Sequence, residues 1–380
     1  MGIGVICAQL RLIASRPCDR VAVVGHGRHM SIEPTTVTLH DPGDLIAAVP
    51  AMLGFVPQRS LVLLTFGGSG SRVEVTMRHD IDLDPFGEPS EAMCAVIEHL
   101  CGVCLRERAS AVVAVVVDDR IPGDDPRWAS VFDVIDLGLA DLGLAAGFAT
   151  DEIASGARWY TAWGHPDHHL AGGRLADPRF TPTAVAHAVT TGRVMAGSRA
   201  EMTAAVEPGA HCERGICAAD ATVSGPTPDD TTRLRLVLAA VDSGLGTDPR
   251  CADVVALGDA IRSVHVRDAL LALAASDRAD DAQHLWADLT RRLRGRGRAT
   301  AATLLAHLHY VAGDGAMAGI ALDAALAADP GNSFATLLDE SLRAGMRPDV
   351  LAELLPTSRD LARRLGVALP PTQHRMRRGA

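Results

Sequence analysis

Two adjacent carboxylates, Asp118 and Asp119, follow the uninterrupted apolar run 111–117. In open α/β sheets ligands bind outside the carboxyl ends of the strands, so this pair is placed to hold Mg²⁺ or to act as a base. A polar loop feeding Gly123, Asp124, Asp125 and Pro126 is the plainer account of the same residues. His165, Asp167, His168 and His169 form the densest imidazole cluster, and neutral imidazole is a good Zn²⁺ ligand. His211, Cys212 and Cys217 are the residues that would complete such a site, although the spacing fits no familiar zinc pattern. Asp80, Asp82, Asp84 and Glu91 match a calcium-loop spacing, but Pro85 stands where that loop needs glycine for its sharp turn. A solvated loop ending in a helix cap is the simpler reading.

Cysteine and arginine supply the remaining candidates. Cys101 and Cys104 make a Cys-x-x-Cys pair, yet both fall on the apolar stripe of a helix, where cysteine packs as a small hydrophobe. Gly25-His26-Gly27 imitates the start of a dinucleotide loop but lacks the third glycine and the following helix. Arg291, Arg292, Arg294, Arg296 and Arg298, with Arg375, Arg377 and Arg378 at the C-terminus, concentrate positive charge that suits phosphates or an acidic partner. Helix C-termini also attract cations for purely structural reasons.

Composition removes several chemistries. The chain has 380 residues and a net charge of −10, and all 36 of its basic residues are arginine. Without lysine there is no Schiff-base or pyridoxal chemistry, no complete Walker A loop and no kinase-type phosphate lysine. No Gly-x-Ser-x-Gly elbow or His-Glu-x-x-His helix occurs, and no cofactor is implied. Aromatics at 3% leave no stacking platform, which makes nucleic acid an unlikely partner. Eight scattered cysteines read as mostly reduced thiols and place the protein in the cytoplasm. No stretch reaches the roughly 20 apolar residues that span a membrane.

The elements that must position these groups follow from hydrophobic period. Asp41 and Pro42 open a helix through Leu53, with Pro50 expected to kink or shorten it. Leu61 to Phe66 and Arg72 to Arg78 read as a hairpin, and Glu91 to Arg108 as an amphipathic helix. Ala111 to Val117 is a strand apolar on both sides, which calls for a sheet covered on both faces. Trp128 to Ala146 reads as a helix and Arg158 to Trp163 as a strand. From Thr181 the strand signals stop, and helices are expected at Thr232 to Ser243, Asp253 to Ala275, Asp281 to Leu293, Thr300 to Ala312, Ala316 to Ala327 and Ser333 to Ala344. Ala318, Leu322 and Ala325 repeat Ala282, Trp286 and Leu289 at an offset of 36 residues, like the small and bulky positions of a tetratricopeptide helix. A plain bundle with close alanine contacts accounts for them equally well.

The reading divides the chain into a loose extension (1–36), an α/β domain with a mixed sheet flanked by helices (37–180), a helical connector and loop (181–230), an all-α, helical-repeat-like region (231–370) and a basic tail (371–380).

The segment from Asp41 through Asp44-Leu45, Val49-Pro50 and Leu53-Gly54-Phe55-Val56-Pro57 to Ser60-Leu61-Val62 resembles the opening of the domain-of-unknown-function 4192 family, found in high-GC bacteria. The pair Trp159-Tyr160, the segment Gly197-Ser198-Arg199-Ala200-Glu201, and Gly313-Asp314-Gly315 with Asp329-Pro330 are similar to later motifs of that family. Ala162-Trp163-Gly164-His165 stands where many members carry a Cys-containing stretch, so no cysteine-based site is implied. The resemblance implies organisation and brings no activity with it. The residues themselves favour a noncatalytic adaptor whose C-terminal helices bind another protein, because stacked helices expose concave surfaces. The alternative is a metal-assisted or acid/base enzyme acting on a small molecule, with Asp118, Asp119 and the His165 loop facing one crevice.

Overall fold

The structure is a computed structural model that describes residues 41–67, 72–164, 172–191, 194–209, 228–246 and 249–372, together with short strands at 4–6, 9–13, 20–25 and 35–36. Contacts divide the chain into two compact units, Met1–Glu201 and Met202–Ala380.

The first unit is α/β. Strands β1 (Gly4–Ile6), β2 (Gln9–Ile13), β3 (Arg20–Gly25) and β4 (Thr35–Thr36) precede helix α1 (Pro42–Leu53) and the hairpin β5 (Ser60–Gly67) and β6 (Arg72–Asp80). The first 36 residues, read from the sequence as a loose extension, thus contain four short strands. Helix α2 (Glu91–Arg106), strand β7 (Ala111–Val117), helix α3 (Trp128–Gly138), strands β8 (Ala146–Thr150), β9 (Arg158–Trp163) and β10 (Gly173–Arg174), and helices α4 (Pro182–Thr191) and α5 (Arg199–Ala204) follow. The main sheet is mixed, in the order β1-β6-β5-β7-β8-β9-β10, with β7 and β8 parallel and the other neighbours antiparallel. Strands β2, β3 and β4 form a separate antiparallel sheet.

All of β5 and Val112–Val117 of β7 are buried, as expected for strands apolar on both faces. Their cover comes from helices that pack in pairs, α1 with α4 and α2 with α3. Asp41 caps α1 by accepting from Asp44 N at 2.9 Å, and Gly54, at φ 79°, ends it in the left-handed region. Pro50 does not shorten α1. Every residue from Leu45 to Leu53 is buried, and that packing outweighs the hydrogen bond proline cannot make. Trp159 lies so close to α1 and β10 that a Cβ at Gly43 or at Gly173 would sit 2.8 Å from its indole nitrogen.

One strand departs from the sequence reading. The helix expected over 128–146 stops at Gly138, and Ala146–Thr150 pairs in parallel with β7, Val113 opposite Ala146 through Val117 opposite Thr150. The segment Ala-Gly-Phe-Ala-Thr offers no alternation and only Thr150 as a β-branched residue, so its period is silent. Its composition follows from packing: a Cβ on Gly147 would stand 2.7 Å from both the Phe132 ring and Trp163 Cβ.

The second unit is all-helical. It contains α6 (Asp230–Ser243), α7 (Cys251–Arg262), α8 (Val264–Leu270), α9 (Ala279–Arg292), α10 (Gly295–Ala312), α11 (Gly315–Ala328), α12 (Ser333–Arg343), α13 (Pro348–Ala352) and α14 (Leu355–Arg364). The single helix expected over 253–275 is broken at Ser263, whose extended backbone lets its hydroxyl donate to Asp230 Oδ1 at 2.7 Å, and it ends in a 3₁₀ turn over 271–275. Helix α10 is buried from Gly297 to Tyr310 and packs against α7, α8, α9, α11, α12 and α13, the arrangement of a bundle around a central rod. Ala282, Trp286 and Leu289 of α9 and Ala318, Leu322 and Ala325 of α11 are all buried. Among the described residues no helix is long and apolar enough to cross a membrane.

Valine is a better strand former than glycine, so propensity alone favours Gly147→Val. The packing dictates the opposite: the substitution is expected to destabilise the protein by about 1–3 kcal/mol through overpacking against Phe132 and Trp163, read as a lower urea midpoint. A midpoint at or above that of the parent would refute the close approach.

Candidate functional site

Asp118 and Asp119 stand where the sequence places them, at the carboxyl end of β7, but each is held by an arginine. Asp118 is fully buried and accepts from the backbone N of Arg120 at 2.9 Å and from its guanidinium at 2.6 Å (Nη2) and 2.9 Å (Nε). Arg120 also donates to Ile81 O at 3.3 Å, and its pKa is raised, chiefly by the hydrogen bonds to Asp118. Asp119 is exposed and pairs with Arg59 at 2.7 Å and 3.2 Å. The hydrogen bonds from Arg59 push the Asp119 carboxyl below its ordinary value, which makes it a weaker base. His165, His168 and His169, and likewise His211, Cys212 and Cys217, lie outside the described residues.

The calcium-like spacing is used for local structure. Asp80 pairs with Arg78, Asp82 accepts from the Ser90 hydroxyl at 2.6 Å, and Asp84 accepts from Phe86 N at 2.8 Å and Glu88 N at 3.0 Å. Ser90 in turn caps α2 through Met93 N. Among the described residues no group of three His, Cys, Asp or Glu side chains converges to hold a metal.

Cys101 and Cys104 are buried and free, with Cys101 Sγ donating to Ile135 O across the α2–α3 contact at 3.6 Å. Burial pushes their thiols up to about 11 and about 12, so neither offers a thiolate for redox or metal chemistry. Among the described cysteines Cys94, Cys101 and Cys104 are free thiols, and Cys251 is disulfide-bonded.

The arginine run at the end of α9 separates into two roles. Arg294 folds back over the helix end, donating to Arg291 O at 3.0 Å and Leu293 O at 2.9 Å, and reaches Gly209 O at 2.8 Å. Arg298, buried, bridges Thr290 O at 2.7 Å and Val206 O at 2.9 Å, and desolvation lowers its pKa. These two side chains fasten the segment at 206–209 to the bundle. Arg296 does something else.

Arg296 faces a cavity of about 430 Å³ in the helical unit, which it lines with Arg233, Arg262, Arg267, Asp259 and Asp329. Four guanidinium groups and two carboxylates line it, and two more carboxylates pair with its arginines from the side, Asp268 with Arg267 at 2.6 Å and Asp230 with Arg233 at 3.7 Å. Arg233 binds Asp259 at 2.8 Å, while Arg296 reaches Asp329 only at 3.6 Å. Arg267 pairs with Asp268 and lies over the Phe334 ring, 4.9 Å from its centroid. Arg267 and Ser333 also border a second, more open hollow with Phe334, Thr336, the exposed Leu337 and Glu340, so the polar cavity continues into a ledge whose apolar part is Phe334 and Leu337. Under the ledge, the buried ring of His307 lies 6.5 Å from Phe334, its Nε2 without a hydrogen-bond partner.

Sequence reasoning found Arg296 alone of these arginines. Arg233, Arg262 and Arg267 come from α6, α7 and α8, and no linear spacing announces that three separate helices aim charge at one hollow.

The family model described as Domain of unknown function (DUF4192) matches residues 42–349. No curated protein and no solved structure matches the chain.

Two outcomes follow from this geometry. Arg298→Ala, which leaves two carbonyls without their donor, is expected to cost about 2 kcal/mol or more in urea unfolding, whereas exposed Arg296→Ala stays within about 0.5 kcal/mol. Equal effects would refute the division of roles. Burial pushes His307 down to about 4 from 6.5, so between those values the unfolded chain binds a proton that the folded chain does not. Stability therefore falls as pH drops through that window, by about 3 kcal/mol from this group. His307→Leu is expected to flatten that part of the stability profile, and an unchanged slope would contradict the assignment.

Proposed function

The chain belongs to the DUF4192 family, whose description assigns no activity, so we propose a function from the site itself: a noncatalytic binding protein whose helical unit takes an acidic segment of another protein into its arginine-lined cavity. The carrying observation is that two guanidinium groups in that hollow stay open: Arg262 has no acidic partner among the described residues, and Arg296 approaches Asp329 only at 3.6 Å. The body of the protein, at net charge −10, repels an acidic segment everywhere but at this concavity, where guanidinium groups fix it by forked hydrogen bonds. The neighbouring ledge of Phe334 and Leu337 adds apolar contact, which gives binding energy that charge alone does not supply.

At the α/β unit, Asp118 and Asp119 are each neutralised by a guanidinium, an arrangement that supports structure better than base catalysis. Placement in the cytoplasm rests on the free thiols Cys94, Cys101 and Cys104. It runs against the disulfide at Cys251, since disulfides are rare in reducing compartments.

The test is affinity capture at native expression with parent and variant proteins. A partner retained by the parent and by Asp119→Asn, and lost with Arg262→Glu combined with Leu337→Glu, is the expected result. Retention of the same partner by the double variant, with its fold verified by circular dichroism, would remove the cavity from the binding surface.

A further inference from the structure

The cavity offers more open donors than a carboxylate uses. Arg262 is exposed and has no ion-pair or hydrogen-bond partner among the described residues. Arg233 is committed to Asp259 through Nη2 at 2.8 Å and stands 3.7 Å from Asp230, so it adds no open donor. Arg296 stands beyond hydrogen-bond distance of Asp329. The Ser333 hydroxyl, at the mouth shared with the ledge, has no partner among the described residues either, because the cap of α12 is supplied by Asn332 to Ala335 N.

A carboxylate brings one charge and two oxygens. A phosphate monoester near neutral pH brings close to two charges and three strong acceptors, which suit the two guanidinium groups, Arg262 and Arg296, that no carboxylate among the described residues holds within hydrogen-bond distance. Arginine is the side chain best shaped for this, since its rigid fork meets phosphate oxygens two at a time. Nucleic acid fits less well: a long polyanion would lie along the acidic surface of a chain of net charge −10 and would find one hollow for one phosphate.

We propose that the cavity seats the phosphorylated side chain of a serine or threonine in the partner segment, with the next apolar residue of that segment resting on Phe334 and Leu337. This rests on the protein-binding reading given above. The phosphate is held by Arg262 and Arg296. The mouth shared by the two hollows, at Arg267 and Ser333, sets the direction in which the peptide leaves the cavity.

The experiment uses the full chain and four probes: a fluorescent peptide Ala-Ala-phosphoserine-Leu-Leu-Ala, its unphosphorylated form, its glutamate form, and inorganic phosphate as competitor. Fluorescence anisotropy is expected to show the phosphopeptide binding at least about tenfold more tightly than the glutamate form, with displacement by phosphate. Arg262→Gln with Arg296→Gln, both exposed and expected to leave the melting temperature unchanged, should weaken the phosphopeptide at least about tenfold. Leu337→Ala should weaken the peptide and leave phosphate competition intact. Equal binding of glutamate and phosphoserine peptides would overturn the phosphate assignment while leaving an acidic partner in place. Phosphate binding that is as tight as the phosphopeptide and indifferent to Leu337 would replace the peptide by a free phosphate. Absence of binding by every probe would overturn both the phosphate and the acidic-segment readings.

Discussion

A polar group taken out of water is costly without a partner inside the protein, and here arginine supplies that partner at three places where the framework turns from core to surface. At the carboxyl end of the central strand, the carboxylate of Asp118 has no solvent and depends on the fork of Arg120. At the same edge of the sheet, near the end of β6, buried Arg78 donates to Ser60 Oγ at 2.8 Å and Gln58 O at 3.3 Å and lies over the Phe55 ring. In the helical unit Arg298 and Arg294 close the ends of α9 and carry the preceding segment. Lysine, with a point charge and no fork, could not bridge two carbonyls in the same way, and the chain contains none.

Each unit is organised around an element buried on all sides. Strand β7 is wrapped by its neighbours in the sheet and by covering helices, and α10 is wrapped by six other helices. Such elements have no room for function along their length, so polar chemistry collects at their ends. For β7 that chemistry is consumed in ion pairs. For the helical unit, arginines not needed to close helix ends are left facing a hollow between α6, α7, α8, α10 and the start of α12. This separation of structural from available guanidinium groups is what turns an arginine-rich composition into a candidate binding surface.

Much of the framework could be read from the sequence because burial leaves a periodic trace. The hairpin, the helix carrying Cys101 and Cys104, the all-apolar strand before Asp118 and most helices between residues 230 and 344 follow from spacing and end signals, and the family resemblance agrees with the matched span 42–349. Strand β8 escaped because close approach of Phe132 and Trp163 demands glycine and alanine, which erase the strand signal. The break at Ser263 escaped because its cause, Asp230, lies 33 residues away.

What the sequence determined by itself was which segments hide from water and how they end, since hydrophobic period and capping residues act within a few positions. It also determined that every cationic contact would be made by guanidinium. Only tertiary structure decided which arginines those contacts would occupy. Arg298 and Arg296 are two residues apart on one helix, yet one is sealed against carbonyls and the other opens on a cavity, because the helices that surround them are brought there from distant parts of the chain.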